Sequence, residues 1–140
     1  MGITYKLADQ SDLPALIAVG DKLFDHPVKA SLTERFLNDP RHHLMLAYSD
    51  DQIVGMASGF HYLHPDKEEQ LFINEVGVLE DFQGAGICKQ LIKEICEHGR
   101  TLGCTEMWVA TEVDNLAARK CYSGANGLEE SSHFVSYTFE

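Results

Sequence analysis

A strand, a glycine loop and an amphipathic helix follow one another between residues 71 and 102, and this unit constrains the fold more than any other part of the sequence. Residues 71–78 form an apolar run that contains several β-branched side chains, which predicts a strand. From Gly86 onward, apolar residues recur at helical spacing with charged residues between them, and Gly103 follows the last turn. We therefore expect a long helix that packs on a β-sheet.

The rest of the chain carries similar signals. Before the unit, they predict a strand at 3–7, a helix from about Leu13 to Phe24, and a short helix capped by Ser31 or Thr33 and closed by Pro40. A hairpin of 43–48 and 53–63 follows these helices. After the unit, they predict a strand at 107–111, a helix capped by Asp114 or Asn115 that runs to about Ser123, and a closing strand at 133–139. This order predicts an α/β (α+β) fold with a mixed central β-sheet and helices on both faces. The length of 140 residues fits one domain that spans residues 1–140.

The net charge of −11 arises from 22 acidic and 11 basic residues. Nucleic acid is not expected as a partner, because phosphate binding requires clustered Lys and Arg. The acidic excess favours a cationic partner or serves only solubility, and the composition leaves both open. No apolar run approaches the roughly 20 residues that a membrane span needs, so we expect no membrane partner and a cytoplasmic location.

The cysteines and histidines do not form a recognisable ligand pattern. Cysteines stand at 88, 96, 104 and 121, a spacing without a CxxC pair and too sparse for a disulfide framework, so we predict four free thiols. His42-His43 and His61-x-x-His64 lack the further ligands of a short zinc quartet. We predict that these histidines lie at strand edges and in loops, and that no metal is bound.

The glycine loop suits a phosphate group, because free N–H groups and the helix dipole both favour an anion at a helix start. Lys89 and Lys93 could add positive charge there. A dinucleotide fingerprint is disfavoured, since Lys89 stands in place of the third glycine of Gly84-x-Gly86-x-x-Gly, and the Gly-Lys-Ser/Thr of a P-loop is missing. From these residues alone, a glycine turn without any ligand remains open.

Three features stand in a fixed order around this loop. Residues 78–88 read Val78-x-x-x-x-Gln83-Gly84-Ala85-Gly86-Ile87-Cys88, a valine followed by a Gln/Arg-x-x-Gly-x-Gly/Ala pattern in which Cys88 replaces the final Gly or Ala. Asn115-x-Ala117-x-x-x-x-Tyr122 follows, and Glu75 precedes the loop on the strand. With the order of elements, these motifs resemble the GNAT superfamily of acetyltransferases over essentially the whole chain.

The resemblance implies a GNAT fold and an enzyme that uses acetyl-coenzyme A as its acetyl donor. It implies that strand, loop and final helix hold this donor through Val76, Val78, Gln83, Gly84, Ala85, Gly86, Ile87, Cys88, Lys89 and Asn115. In the superfamily, the asparagine contacts the pantetheine arm and the tyrosine faces the sulfur. Backbone N–H groups of the strand that carries Val76 and Val78 bind the oxyanion, and we expect Gly77 to allow a bulge there.

Acetyl transfer requires a neutral amine, although an amine with a pKa of about 10.4 is protonated at neutral pH. We expect Glu75 to be the general base, directly or through a water, because a carboxylate on an apolar strand is costly to bury without a purpose. The alternative is a carboxylate at the sheet edge that pairs with a Lys or Arg. Tyr122, a neutral phenol at pH 7, is the expected acid that protonates the leaving thiolate.

Residues 36–78 resemble the small aminoglycoside 3-N-acetyltransferases, which implies a polycationic antibiotic as acceptor and a role in antibiotic resistance. Negative charge near the acceptor cleft could then come from four acidic residues: Glu68, Glu69, Glu112 and Asp114. The alternative is that these four form only a solvated face. Another small amine, a protein lysine and a non-catalytic module that binds acetyl-coenzyme A remain alternatives. The superfamily resemblance further implies a homodimer.

Overall fold

The computed structural model describes residues 2–140. Its main elements are β1 Ile3–Leu7, α1 Leu13–Ala18, α2 Ala30–Asn38, β2 His42–Ser49, β3 Gln52–Tyr62, β4 Gln70–Val78, α3 Ile87–Thr101, β5 Glu106–Val109 and α4 Leu116–Gly124. Strands β1 to β4 pair antiparallel in chain order, and β5 adds to β4 in parallel, which gives one sheet with the order β1-β2-β3-β4-β5. The mixed sheet predicted from the sequence is confirmed.

Helices pack on both faces of this sheet, each over its own group of buried side chains. The α3 core lies on one face, and its fully buried members include Ala47, Val54, Leu71, Leu91 and Ile95. The α1 core lies on the other face, and its members include Leu16, Leu44, Leu46, Ile53 and Met56. Helix α4 buries no residue completely and joins the α3 core only through partly buried side chains. Among residues 2–140, no helix combines the length and apolarity needed to cross a bilayer.

Helix α1 is shorter than predicted: it ends at Ala18 rather than near Phe24. The chain turns at Gly20, and the N–H of Val28 donates to the Gly20 carbonyl at 3.1 Å to close a loop. Leu23 inside this loop is still buried, at 8% exposure. The apolar spacing therefore reported burial correctly but not the backbone conformation, because an irregular loop can bury the same side chains.

Helix α2 begins at Ala30, so neither Ser31 nor Thr33 caps it as predicted. The N-cap is Lys29, which has no side-chain oxygen to accept from the first turn. The Thr33 hydroxyl lies inside the helix and donates to the Lys29 carbonyl at 2.8 Å. The predicted end is confirmed, since Asp39 before Pro40 is extended.

Three histidines form a stacked and hydrogen-bonded cluster between β2, β3 and α3. His43 Nε2 lies 2.7 Å from His61 Nδ1, and His43 Nδ1 lies 3.0 Å from His98 Nε2. His43 is only 7% exposed, so the prediction of edge and loop histidines is wrong for this residue. In the part of the chain that the structure describes, no His, Cys, Asp and Glu side chains gather as a metal site.

The predicted closing strand at 133–139 is wrong. No helix or strand follows α4, and the apolar side chains of this C-terminal segment are 74–95% exposed: Leu128, Phe134, Val135, Tyr137 and Phe139. An alternating pattern becomes a strand only where a sheet edge accepts its hydrogen bonds. Within this chain, the segment does not pair with the free edge of β5.

Candidate active site

The predicted glycine loop joins β4 to α3 and is held open by its backbone geometry. The Gln83 side chain donates to the Val78 carbonyl at 3.1 Å and so ties the loop to the end of β4. Gly84 and Gly86 have φ angles of +81° and +82°, which other residues adopt only at a cost. Apart from the adjoining residues of the chain, no atom lies within 4 Å of the position that a Cβ would take at either glycine, so the approach to the loop is clear.

The loop presents a row of unused backbone donors. Within residues 2–140, the N–H groups of residues 84–89 donate to no protein acceptor, and the first helical bond runs from Gln90 N–H to the Gly86 carbonyl at 3.1 Å. Helix α3, with 15 residues, adds the positive end of its dipole at the same place. These donors and this dipole suit a phosphate or pyrophosphate group.

The side chains of the loop point in different directions. Ile87 is 3% exposed and belongs to the α3 core, so only its backbone is available to a ligand. Ala85 and Lys89 are exposed. The Lys89 stem lies beside α4, because a Cβ added at Gly124 would be 3.6 Å from Lys89 Cδ.

Cys88 and Cys121 form a disulfide, so the prediction of four free thiols is wrong for this pair. The bond joins the first turn of α3 to α4, with the two Cα atoms 6.2 Å apart and a sequence separation of 33. Cys96 and Cys104 are free, as predicted. Sequence spacing missed the bond because only the packing of α3 beside α4 brings the two thiols together.

Strands β4 and β5 separate on the side of the loop. They pair only over Gln70–Ile73 and Glu106–Val109, after which β4 continues to Val78 and β5 ends. The backbone edge of residues 74–78 therefore lacks a strand partner. The side chains of Val76 and Val78 pack toward the α3 core, so any contact with a ligand at this edge is through backbone groups.

Asn115 and Tyr122, the residues of the second motif, lie at the start and near the end of α4. Asn115 is the N-cap, and its Oδ1 accepts from the Ala118 N–H at 3.1 Å. Tyr122 is half-buried against the α3 core, and this burial raises the pKa of its phenol. The hydroxyl therefore keeps its proton at neutral pH, as a proton donor must.

Glu75 is half-buried on the face of β4 opposite the α3 core. Burial raises the pKa of its carboxyl, and the charge of Asp25 raises it further. Throughout residues 2–140, no Lys or Arg lies within 4.0 Å of this carboxylate, so the expected alternative of a paired edge carboxylate is not found. An unpaired carboxylate with a raised pKa has the properties of a general base.

Two features of the backbone place Glu75. The register between β3 and β4 shifts beside it, since Ser58 lies opposite Glu75 whereas Gly59 lies opposite Ile73. The bulge is therefore at Asn74. The prediction of a bulge at Gly77 is wrong. Gly77 is required instead by a close contact, because a Cβ there would be 2.9 Å from the Leu23 carbonyl oxygen of the segment that carries Asp25.

Ser58 is a site residue that the sequence did not reveal. It is 6% exposed, its Oγ has no hydrogen-bond partner, and it lies opposite Glu75 in the antiparallel register. Directly opposed side chains in such a pair have Cβ atoms about 4.5–5.5 Å apart. The hydroxyl is thus close enough to orient the carboxylate after a rotamer change.

An aromatic surface lies on the same face of the sheet as Glu75, and the sequence did not reveal it either. It consists of Phe60, Tyr62, Phe72 and Trp108 from three neighbouring strands. Phe72 packs edge-on against Phe60 and at a tilt against Trp108, with ring centroids 5.5 and 4.5 Å apart. Trp108 Nε1 donates to the Tyr62 hydroxyl at 2.6 Å, which fixes both rings.

The four acidic residues expected at an acceptor cleft are not gathered at Glu75. Glu69 lies 3.6 Å from His61 Nε2 and therefore faces the histidine cluster. Glu68, Glu112 and Asp114 are exposed on connecting segments. The carboxylate whose charge reaches Glu75 is Asp25, which lies in the loop after α1.

The profile of the acetyltransferase (GNAT) family matches residues 10–126, which is most of the chain. The chain belongs to the GNAT family. Its relatives include mycothiol acetyltransferase of Saccharopolyspora erythraea, 33% identical over 122 residues that cover 79% of this chain and 38% of that protein. This GNAT chain therefore spans about two fifths of the length of that relative. Aminoglycoside N(6′)-acetyltransferase type 1 of Salmonella typhimurium is 29% identical over 118 residues, which cover 80% of this chain and 81% of the relative.

Solved structures share the fold of this GNAT chain. The aminoglycoside N-acetyltransferase AAC(6′)-Iy, in complex with a bisubstrate analogue of coenzyme A, aligns with a TM-score of 0.84 and 23% identity over 100% of this chain and 99% of that one. An aminoglycoside acetyltransferase from an uncultured soil metagenomic sample also gives 0.84, with 19% identity over 99% and 97% of the two chains. The predicted GNAT fold is confirmed.

Proposed function

We propose that this GNAT chain is an N-acetyltransferase, which transfers the acetyl group of acetyl-coenzyme A to a primary amine of a small cationic acceptor, with an aminoglycoside antibiotic as the first candidate. One observation carries the proposal: free backbone donors at the start of α3 and an unpaired carboxylate at Glu75 lie at the two ends of one strand-loop unit. The first suits an acidic cofactor, and the second suits an amine.

The residues fit the donor as follows. The N–H groups of residues 84–89 would hold its pyrophosphate, and Lys89 would add positive charge. The free edge of residues 74–78 would accept the extended pantetheine arm, with the Asn115 amide beside it. Acetyl-coenzyme A supplies an acetyl thioester. The protein would have to deprotonate the amine, stabilise the oxyanion and protonate the leaving thiolate.

Glu75 would remove the proton of the acceptor ammonium, directly or through a water, so that a neutral amine is available for attack. Ser58 would hold the carboxylate in one orientation. Unpaired N–H groups along the edge that contains Val76 and Val78 would stabilise the oxyanion. Tyr122, protonated at neutral pH, would donate a proton to the departing thiolate.

A small cationic acceptor is supported by the face of the sheet on which Glu75 lies. Glu75 and Asp25 place two carboxylates there without a neighbouring cation in the described residues. The aromatic surface offers ring faces that attract ammonium groups. The net charge of −11 favours approach of a polycation. Two relatives and several structural neighbours act on aminoglycosides by name.

The test is release of the coenzyme A thiol by the full chain with three acceptor classes: aminoglycosides, linear polyamines and lysine peptides. We expect turnover on aminoglycosides, and product mass spectrometry would identify the acetylated nitrogen. Trp108→Ala should raise KM for the preferred acceptor without changing KM for acetyl-coenzyme A. Turnover on peptides alone would overturn the acceptor class, and binding without turnover on any amine would indicate a non-catalytic module.

A homodimer in the cytoplasm belongs to the same proposal. The C-terminal segment of residues 127–140 carries alternating apolar side chains that remain exposed, and β5 has a free edge. The segment of one subunit would pair with β5 of the other. This pairing would give the backbone groups of the β5 edge hydrogen-bond partners and would bury apolar side chains of the segment.

A further inference from the structure

We propose that Cys88 and Cys121 form a redox modification site, at which thiol–disulfide exchange with a small-molecule disulfide controls the binding of acetyl-coenzyme A. The inference rests on the proposed function of the glycine loop. The bridged form binds the donor weakly, and the dithiol form binds it tightly. The loop pattern that this chain resembles has Gly or Ala where Cys88 stands.

The position of the bridge carries the inference. Cys88 is the second residue of α3, and its N–H belongs to the row of free donors in the loop. Cys121 immediately precedes Tyr122 on α4. A donor held at the loop by its pyrophosphate must reach Tyr122 with its thioester end, and the bridge joins these same two places.

The bridge also ties α4 to the first turn of α3. Its Cα atoms are 6.2 Å apart, an ordinary distance for a disulfide. Helix α4 has no fully buried residue, so little besides the bridge and a few partly buried contacts fixes it against α3. Reduction would allow α4 to move and open the space beside the loop.

Small thiols and disulfides can reach the pair. Cys88 and Cys121 are both partly exposed, whereas the free Cys104 is buried at 6% exposure. No side chain covers the loop at Gly84 or Gly86. The α3 dipole favours negative charge at Cys88, and the thiolate is the form that attacks a disulfide.

The exchange balances as two steps. The Cys88 thiolate attacks one sulfur of a disulfide RSSR, such as oxidised glutathione, to give a mixed disulfide, and the first RS⁻ leaves and takes up a proton. The Cys121 thiolate then attacks the Cys88 sulfur, which closes the bridge and releases the second RSH. Two electrons pass from the protein to RSSR, and an excess of RSH reverses both steps.

The bridge is better explained as a switch than as a permanent staple. Disulfides in the cytoplasm are usually transient, catalytic or redox-sensing, because cellular thiols keep others reduced. The proposed location of the protein is the cytoplasm, and the pair lies beside the proposed site for the acetyl donor. Oxidative conditions would therefore suppress acetyl transfer reversibly.

The experiment uses the full chain equilibrated in glutathione buffers of different ratios. Thiol content is measured by intact mass after alkylation, and coenzyme A affinity by calorimetry in the same samples. We expect a Kd for coenzyme A about tenfold or more higher in the oxidised protein, with the change following the bridged fraction. The double variant Cys88→Ala/Cys121→Ala, which can form neither the bridge nor a mixed disulfide at these positions, should show the same coenzyme A affinity in every buffer, and Cys96→Ala, a change at a free cysteine, should behave as wild type.

The outcomes separate the two proposals. Equal affinity of the oxidised and reduced proteins, or a bridge that resists excess glutathione, would overturn the switch and leave the proposed function intact. Failure of the reduced, folded protein to bind coenzyme A would overturn the proposed function and the switch with it. Thermal melting of each variant establishes that it is folded.

Discussion

Glu75 holds a charge where burial and the carboxylate of Asp25 both disfavour it. A surface glutamate would need neither the bulge at Asn74 nor the close contact at Gly77 that surround it. Such an arrangement lowers the stability of the folded protein slightly and raises the basicity of the carboxylate. General bases show this combination.

Glu75→Gln should lower kcat/KM at neutral pH by about 100-fold or more, within the range for loss of a general base. The loss should shrink as pH rises, because the amine then deprotonates without help. A pH profile of kcat/KM for variant and wild type measures this. Glu69→Gln is the matched control, since Glu69 faces His61 and should retain the wild-type profile. A ratio to wild type that is independent of pH would exclude Glu75 as the base.

The same substitution should raise the melting temperature at neutral pH. The folded pKa of Glu75 is raised, so the folded state binds the proton more tightly than the unfolded state does. The charged form therefore costs stability above the folded pKa, and this cost disappears as pH falls through it. Differential scanning fluorimetry should show a stabilised Glu75→Gln variant at pH 7 and little difference in acid. A variant less stable than wild type at both pH values would contradict this account.

Tyr122→Phe should lower kcat by about tenfold or more with an unchanged Kd for coenzyme A, as expected for a group that acts only in the transition state. The raised pKa of Tyr122 keeps the hydroxyl protonated, and burial against the α3 core would hold the Phe ring in the same place. Steady-state kinetics and calorimetry measure the two quantities. Tyr137→Phe, at a tyrosine that is 79% exposed, is the control. An unchanged kcat would remove Tyr122 as the acid.

At the level of elements, the histidine cluster joins two strands to the helix that begins at the glycine loop. His43 lies between His61 of β3 and His98 of α3. Burial and the neighbouring histidines lower the pKa of His43 to about 4, against a weak opposing effect of Asp39. The pKa of His98 is lowered as well, by burial and by His61. Acid should therefore weaken the attachment of α3 to the sheet.

We expect the free energy of unfolding to fall as pH decreases from about 6.5 toward 4. In this range His43 is protonated in the unfolded chain but stays neutral in the folded protein. A pKa shift from 6.5 to about 4 corresponds to about 3 kcal/mol at most for this group. Chemical denaturation at several pH values measures it. His43→Asn should reduce this dependence, whereas His133→Asn, at an exposed residue, should not. If both variants showed the same pH dependence of stability as wild type, His43 would not be the group responsible.

At the level of the whole molecule, the C-terminal segment is an apolar surface without a partner inside the chain. The side chains of Phe134, Val135, Tyr137 and Phe139 are 74–92% exposed. Exposed apolar groups of this size mark an interface more often than free surface. The free edge of β5 offers the complementary backbone groups in a second copy.

The full chain should therefore have twice the mass of its 15.7 kDa subunit by light scattering after gel filtration. Deletion of residues 128–140 should give a folded monomer, and a full-length variant with Val135, Tyr137 and Phe139 changed to Ser should do the same. Circular dichroism establishes the fold of both variants. A monomeric wild type would contradict the dimer, and a dimeric deletion variant would place its interface elsewhere.

The sequence alone determined the features that depend on local pattern. Strands β1 to β4, helix α3 and the glycine loop were predicted within a few residues, because alternation, helical spacing and glycines each act over one element. The motifs around Gln83 and Asn115 identified the family for the same reason. The end of α1 and the closing strand were predicted wrongly. Apolar spacing indicates which side chains are buried or could be buried by a partner, but it does not determine the backbone conformation.

Only the tertiary structure decided which distant residues meet. The bridge between Cys88 and Cys121, the position of Ser58 opposite Glu75 and the effect of Asp25 on its pKa all depend on strand register or helix packing. The aromatic surface likewise gathers side chains from three strands. Such contacts join residues far apart in the chain, and their distances are set by the packing of the whole sheet, which no local pattern records.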